Sequence, residues 1–285
     1  SELKPFRHHP DFKKDIDRTA LSHLLKYSYI PVPHSIYKGV YKLPPATILT
    51  VDLHEKVNRL NYWSMDEVVA QGLAAPHSGS EEEVCQGLEN LLRDSVKLRM
   101  ISDVPLGAFL SGGVDSSLIV SLMQDLGDHP VQTFTIGFSE SEYNEANDAK
   151  EIARHLGTNH TELYVSPKQA MEVIHKLPQL YDEPFADSSQ IPMFLVSELT
   201  RKNVAVSLSG DGGDEIFGGY NRYVWGHWAW HRIKKMPLWV RSLVANGVAC
   251  LSPMSWDKIF HQLRFFLPDH FKVRNPGYKL QKFTE

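Results

Sequence analysis

Cysteine is almost absent: the 285-residue chain has two, Cys85 and Cys250. Two isolated thiols make neither a disulfide framework nor a four-thiolate zinc site, so a reducing compartment is expected. Long apolar runs are lacking too. No stretch approaches 18 apolar residues, so no membrane span is expected. The opening SELKPFRHHPDFKK lacks the apolar core of a secretory signal, which makes cytoplasmic the default location. There is no excess of charge of one sign. Thirty Lys+Arg against 34 Asp+Glu give a formal −4, too balanced for a protein held to nucleic acid by electrostatics. Eighteen glycines and 17 prolines match average usage and exclude collagen-like or low-complexity chains. A hydrophobic content of 42% with 22% charged residues excludes wholesale disorder.

What is present is a rhythm. Residues 16–29 put Leu21, Leu24 and Leu25 at helical spacing, and Pro31, Pro33, Gly39, Pro44 and Pro45 then prevent a long helix. The stretch ATILTVDL from Ala46 reads as a strand. Residues 64–80 (SMDEVVAQGLAAPHSGS) are small and polar and read as a linker, which places a domain boundary between residues 1–63 and 81–285. Ser80 and Glu83 form a capping box that opens a helix to about Met100, with Val84, Leu88, Leu91, Leu92 and Val96 on one stripe. Strands are then expected at residues 106–110, 131–138, 161–165 and 204–208. Helices are expected at 116–126, 145–156, 167–177 and 191–202. This alternation implies βαβ units and an α/β fold with an open parallel sheet, and the apolar runs TFTIGF and VAVSL suit strands covered on both faces. The tail, 221–285, is rich in Lys, Arg and Trp (Trp225, Trp228, Trp230, Trp239, Trp256). Aromatic packing within a helical subdomain is the expectation there, against a membrane or partner surface as the alternative.

Residues 107–117 read GAFLSGGVDSS, an apolar strand running into Ser111, Gly112 and Gly113 and then a helix starting near Ser116. Two glycines permit close backbone approach, successive N–H groups can form an anion-binding nest, and a helix N-terminus adds unpaired donors. Ser111, Ser116 and Ser117 add hydroxyls. Asp115 is out of place beside an anion unless a divalent cation lies between them, which implies Mg²⁺ with phosphate oxygens. The alternative is a plain turn with Asp115 as a cap. Six specified residues at average frequencies would occur by chance in about 10⁻⁵ of chains this long, which favours a binding loop.

The chain has no GxxxxGK[ST] loop. Gly210–Glu215 starts as GxG but puts Glu215 where a dinucleotide fingerprint needs Gly or Ala. Instead VAVSL leads into Ser209, Gly210, Asp211, Gly212, Gly213 and Asp214, a second glycine- and carboxylate-rich loop after a strand. Ligands of open parallel sheets bind beyond the carboxyl ends of strands near a switch in strand order. Both loops can therefore face one crevice, where Asp115 and Asp214 could share a Mg²⁺.

SGGVDSS followed by LSGDGGDEIFGGY resembles the synthetase domain of glutamine-dependent asparagine synthetases. The flank YSYIPVPHSIYKGVYKLPPATILTVD is similar to the end of their glutaminase domain, and the likeness runs from residue 16 to about 222. The resemblance implies an ATP-pyrophosphatase (HUP-like) fold with a short N-terminal α+β remnant and a helical tail. It implies that MgATP adenylates the side-chain carboxylate of aspartate, and that ammonia, drawn from glutamine in the full-length enzyme, then gives asparagine, AMP and pyrophosphate. Carried over by motif, Ser111, Gly112, Gly113, Ser116 and Ser117 hold the phosphates. Asp115 and Asp214 hold Mg²⁺, and groups near Phe109, Leu110, Ile136, Ser209 and Gly210 line the adenosine. Asp211, where the family often has Glu, positions or deprotonates the amine. The expected partners are aspartate and ammonia or glutamine, with neither nucleic acid nor membrane, and a homodimer is allowed.

YDEPFADSSQ (Tyr181–Gln190) offers Asp182, Glu183, Asp187, Ser188 and Ser189 to the amino-acid substrate, and it departs from the Thr/Arg-bearing stretch of many relatives. That departure motivates an alternative, an amidotransferase for another acid such as a cell-surface sugar acid or a β-lactam precursor. A non-catalytic nucleotide-binding module is the second alternative. The family's glutaminase uses an N-terminal cysteine nucleophile, whereas this chain starts with Ser1 and lacks most of that domain, and neither Lys279 nor Lys282 matches the family's pyrophosphate-binding lysine, so a fragment cut at both ends is expected.

Overall fold

The computed structural model describes residues 2–138, 145–263 and 276–277, so Ser1, Lys279 and Lys282 lie outside the described residues. The chain divides into two compact units, Ser1–Asp211 and Gly212–Glu285, a division that falls inside the second glycine loop.

The first unit begins with a 3₁₀ turn, Lys4–His8, and helix α1, Arg18–Tyr27. Asp17 starts α1 by accepting the N–H groups of Thr19 (2.8 Å) and Ala20 (3.3 Å), which holds its carboxyl below the ordinary carboxylate value. Strands β1 (Thr47–Val51) and β2 (Val57–Asn61) pair antiparallel, Thr47 opposite Asn61 and Val51 opposite Val57. The stretch expected to be a linker contains helix α2, Met65–Ala74. Its start is an ordinary cap, with Ser64 Oγ accepting Glu67 N–H and Asp66 and Glu67 in the first turn. Helix α3, Glu81–Arg99, has the anticipated Ser80–Glu83 capping box.

Four parallel strands follow: β3 (Leu106–Phe109), β4 (Gln132–Phe138), β5 (Asn159–Val165) and β6 (Val206–Leu208). Between them run α4 (Val114–Leu126), α5 (Ala146–Leu156), α6 (Pro167–Val173), the single turn α7 (Leu177–Leu180) and α8 (Gln190–Thr200). The order across the sheet is β5-β4-β3-β6. The chain moves outward from β3 to β4 and β5, then returns to lay β6 on the other side of β3, so the direction reverses between β3 and β6. The alternation of β3 explains its two faces. Ala108 and Leu110 pack with Val96, Val120, Met123, Ala149 and Ala153, from α3, α4 and α5. Phe109 points to the opposite cluster of Phe134, Val196 and Val204, which α8 covers. Phe134 is fully buried there, and truncating such a ring costs about 3–5 kcal/mol.

Helix α8 fixes the polarity of its own crossover. Ile191, Phe194 and Leu195, near its start, pack with Val165 and Phe138 at the carboxyl ends of β5 and β4. Val196 and Leu199, further along, pack with Phe134 and Val204. The helix therefore runs antiparallel to the strands, and the segment before it lies on the same edge of the sheet as the loops after β3 and β6.

The second unit contains α9 (Gly213–Phe217), α10 (Asn221–Ile233), α11 (Leu238–Ala249) and α12 (Pro253–Leu263). Among its described residues, Trp256 is half-buried, 6.2 Å from the Phe260 ring, with its indole N–H on Val248 O at 2.9 Å. Trp225, Trp228, Trp230 and Trp239 are 43–70% exposed; Trp225 meets Trp228 edge-on, Arg232 lies 3.5 Å from the Trp228 ring centre, and Arg241 lies 5.7 Å from that of Trp230. Among the described residues, no helix is long and apolar enough to cross a membrane.

Candidate active site

The loop after β3 is built by its serines and left open by its backbone. Leu110 N–H donates to Phe134 O, so pairing with β4 continues one residue beyond β3. Gly112 then takes φ +84°, and a Cβ there would lie 2.9 Å from Ala149 N and from Asp148 Cβ, so both the conformation and the contact with α5 require glycine. Ser111 N–H donates to Ser116 Oγ (3.2 Å), and Gly113 N–H donates to Ser111 Oγ (3.3 Å). Ser116 Oγ and Ser117 Oγ donate to Gly113 O at 3.2 and 2.7 Å. The Ser111 and Ser116 hydroxyls are 3.0 Å apart, and with the Ser116 proton on Gly113 O, the Ser111 proton goes to Ser116 Oγ.

The Ser111, Ser116 and Ser117 hydroxyls all bond within the loop and shape the cradle. The free donors are main-chain groups. Helix α4 opens with Ser117 N–H on Gly113 O, and the N–H groups of Gly112, Val114, Asp115 and Ser116 have no acceptor among the described residues. The Asp115 carboxylate, half-exposed in the first turn of α4, is likewise without a hydrogen-bonding or ionic partner.

The loop after β6 meets this cradle. Strands β3 and β6 are in register, Gly107 opposite Ser207 and Ala108 opposite Leu208, so their ends are level. A Cβ on Gly210 would lie 2.6 Å from Ser116 N, 2.8 Å from Asp115 C and 3.0 Å from Ser116 Cα. Gly210 therefore abuts the first turn of α4, and the two glycine loops come together within the first unit. Ser209 Oγ donates to Asp211 Oδ2 at 2.9 Å, which ties the exposed Asp211 side chain to its own loop. Asp214 belongs to the second unit, in the first turn of α9.

The residues expected to line an adenosine divide. Phe109 and Ile136 are half-buried against the α8-covered cluster, whereas the Leu110 side chain is 1% exposed in the opposite core and could offer a ligand only main-chain atoms. In the 181–190 segment, Asp187 Oδ1 accepts Ser189 N–H at 2.8 Å and forms the turn into α8, while Ser188 and Ser189 stay exposed. Asp182 and Glu183 do something the sequence reading missed, which is to bond the N-terminal segment. Asp182 accepts Leu3 N–H (2.7 Å) and Lys4 N–H (3.2 Å), while Glu183 accepts Ile36 N–H (3.2 Å) and pairs with Lys42. Among the described residues, no group of three or more His, Cys, Asp or Glu side chains converges as a metal site. A divalent ion at Asp115 would thus depend on phosphate oxygens for most of its ligands, as Mg²⁺ habitually does.

A parallel α/β sheet with an open N–H cradle and a free carboxylate at its point of reversal defines a class of anion-binding α/β proteins. The chain belongs to the asparagine synthase family, whose profile matches residues 87–280. Residues 1–63 match the glutamine amidotransferase domain. The chain is 39% identical over 231 residues to a Methanocaldococcus jannaschii protein named among the glutamine-hydrolysing asparagine synthetases, covering 80% of this chain and 43% of that protein. It is 34% identical over 210 residues to asparagine synthetase 1 of Bacillus subtilis, covering 73% and 32%. The chain thus spans less than half the length of these relatives. The glutamine-dependent NAD⁺ synthetase of Acinetobacter baumannii, solved with ADP, superposes at a TM-score of 0.35 and 24% identity over 60% of this chain and 31% of that one, too loosely to carry weight.

Proposed function

We propose that this chain carries the ATP-binding part of a glutamine-dependent asparagine synthetase, together with part of its glutaminase domain. The observation that supports this reading is the set of four N–H groups, of Gly112, Val114, Asp115 and Ser116, that have no acceptor among the described residues at the head of α4, beside a carboxylate likewise without a partner there. In this reading the N–H groups bind the phosphates of ATP, and the helix dipole adds to their attraction. Asp115 holds a Mg²⁺ ion, and Asp214 is assigned to Mg²⁺ on its motif alone. When bound, the ion neutralises charge on the departing pyrophosphate.

A carboxylate oxygen of aspartate attacks the α-phosphorus, the bond to the bridging oxygen breaks, and pyrophosphate leaves. Ammonia attacks the acyl carbon of the adenylate, the carbon–oxygen bond to AMP breaks, and the proton lost from nitrogen passes to a base. Asp211 is assigned that role. Its Oδ2 is taken by the Ser209 hydroxyl and its other oxygen is free to accept. The cradle's contribution is preorganisation: its donors are fixed before charge develops. Incubation with ATP, aspartate and ammonia is expected to yield AMP and pyrophosphate in equal amounts with asparagine. ADP with inorganic phosphate, or no turnover, would refute the assignment.

A further inference from the structure

The segment that leads into α8 is fastened to the segment that matches the amidotransferase domain by a set of contacts that none of the chemistry above uses. Asp182 takes two main-chain N–H groups from Leu3 and Lys4, and its own carbonyl accepts Arg7 Nη2 at 3.1 Å. Lys4 Nζ reaches Leu180 O at 2.8 Å. Glu183 takes Ile36 N–H and the Lys42 ammonium, and Lys42 also donates to Ile30 O at 2.7 Å. Ala186 N–H donates to Ser28 O at 2.7 Å. Asp182 and Glu183 are the only two carboxylates of the 181–190 stretch besides Asp187, and both face away into these contacts with side chains 20% and 17% exposed. Charge-assisted hydrogen bonds at that depth are stronger than surface ion pairs. Four residues after Glu183, Asp187, Ser188 and Ser189 form the turn into α8 at the edge of the sheet where the cradle and Gly210 lie.

We propose that Asp182 and Glu183 are positioning residues that let the N-terminal segment set the 186–189 turn against the acceptor acid. They touch no reacting atom. Residues 1–43 act through them on the binding of the acid, and not on the binding of ATP. The inference rests on the proposed synthetase reading, because it needs an acid substrate at that edge.

The test uses Glu183→Gln and Lys42→Met in the protein, singly and together, with Asp182→Asn as a second probe. Each single variant is expected to raise KM for the acid by about 10-fold in ammonia-dependent pyrophosphate release, the size of losing one charge-assisted bond. KM for MgATP should stay unchanged. The double variant should raise KM by less than the product of the two single effects, because the two residues share one ion pair. Hydrogen exchange should quicken at residues 184–189 in every variant, a readout independent of turnover. Unchanged exchange there overturns the proposal, and so does an equal rise in KM for MgATP and for the acid, which marks general loosening. A wild-type protein that releases no pyrophosphate with any acid instead overturns the synthetase reading, and the inference falls with it.

Discussion

Gly210→Ala is a one-carbon probe of the contact between the two loops. The backbone of Gly210 is not in the left-handed region, so the added methyl meets no conformational penalty, only a lack of space. Its carbon would lie 2.6 Å from Ser116 N and 2.8 Å from Asp115 C, both main-chain atoms of a helix that cannot swing aside like a side chain. Restoring ordinary contact, about 3.4 Å, requires the 209–211 loop and the head of α4 to part by roughly 0.8 Å. Overpacking of this kind costs about 1–3 kcal/mol of stability. Misplacement by about 1 Å at a reacting centre can cost about 10²-fold in rate. The expected outcome is a folded protein whose kcat/KM for pyrophosphate release with ATP, aspartate and ammonia falls about 10²-fold. Gly72→Ala, in α2 with nothing within 4 Å of the new carbon, is the control. It should gain up to about 1 kcal/mol of stability and keep full activity. Gly210→Ala with kcat/KM within about twofold of wild type would refute the placement of the reaction at this junction.

Asp115→Asn should leave the thermal midpoint nearly unchanged, since the half-exposed carboxylate has no partner among the described residues, yet lower kcat/KM by about 10² or more and raise the Mg²⁺ concentration needed; a titration of activity against Mg²⁺ checks this. Ser80→Ala removes the reciprocal cap of α3 and should cost about 1 kcal/mol in denaturant unfolding without changing the rate. His160 is held below its ordinary value of 6.5, chiefly by burial, with Nδ1 2.9 Å from Thr133 Oγ1 and Nε2 buried without a partner among the described residues. Because its folded-state value is depressed, its contribution to stability is present above pH 6.5 and is lost as pH falls through the folded value. His160→Asn should therefore flatten the dependence of the thermal midpoint on pH below 6.5, and identical slopes for both proteins would refute the assignment.

The parallel sheet was legible because a period of two repeatedly gave way to a period near 3.6. All four of its strands, and the helices expected at 116–126 and 145–156, appear within a few residues of their expected limits. Helix α2 was also written in the sequence, with Ser64 and Glu67 as a start signal and Met65, Val68, Val69 and Leu73 on one stripe. Gly72 and the run of small residues around it outweighed those signals. Strand β2, VNRLN, was hidden for a different reason. It is exposed on both faces, so it carries no alternation, and its place is fixed by the turn at Asp52, whose Oδ1 takes His54 N–H and Lys56 N–H. Asp182 and Glu183 were illegible in principle, because their partners lie at Leu3, Lys4, Ile36 and Lys42, far away in the chain.

The two glycine loops show how much local structure lies behind a single repeated letter. Three glycines in them are required for three different reasons. Gly212 takes φ +96° with open space around it and needs only the conformation. Gly210 needs only the space, and Gly112 needs both. In the sequence the three are one letter. The serines follow the same logic. Three hydroxyls beside an anion cradle suggest three donors, but a loop this tight leaves its own carbonyl, Gly113 O, facing inward and its first N–H groups needing acceptors. The hydroxyls meet that demand, and the main-chain donors at the head of α4 are left without acceptors among the described residues. Replacing a serine here should therefore act through loop shape, with Ser116 affecting the cradle most because it ties Ser111 to Gly113.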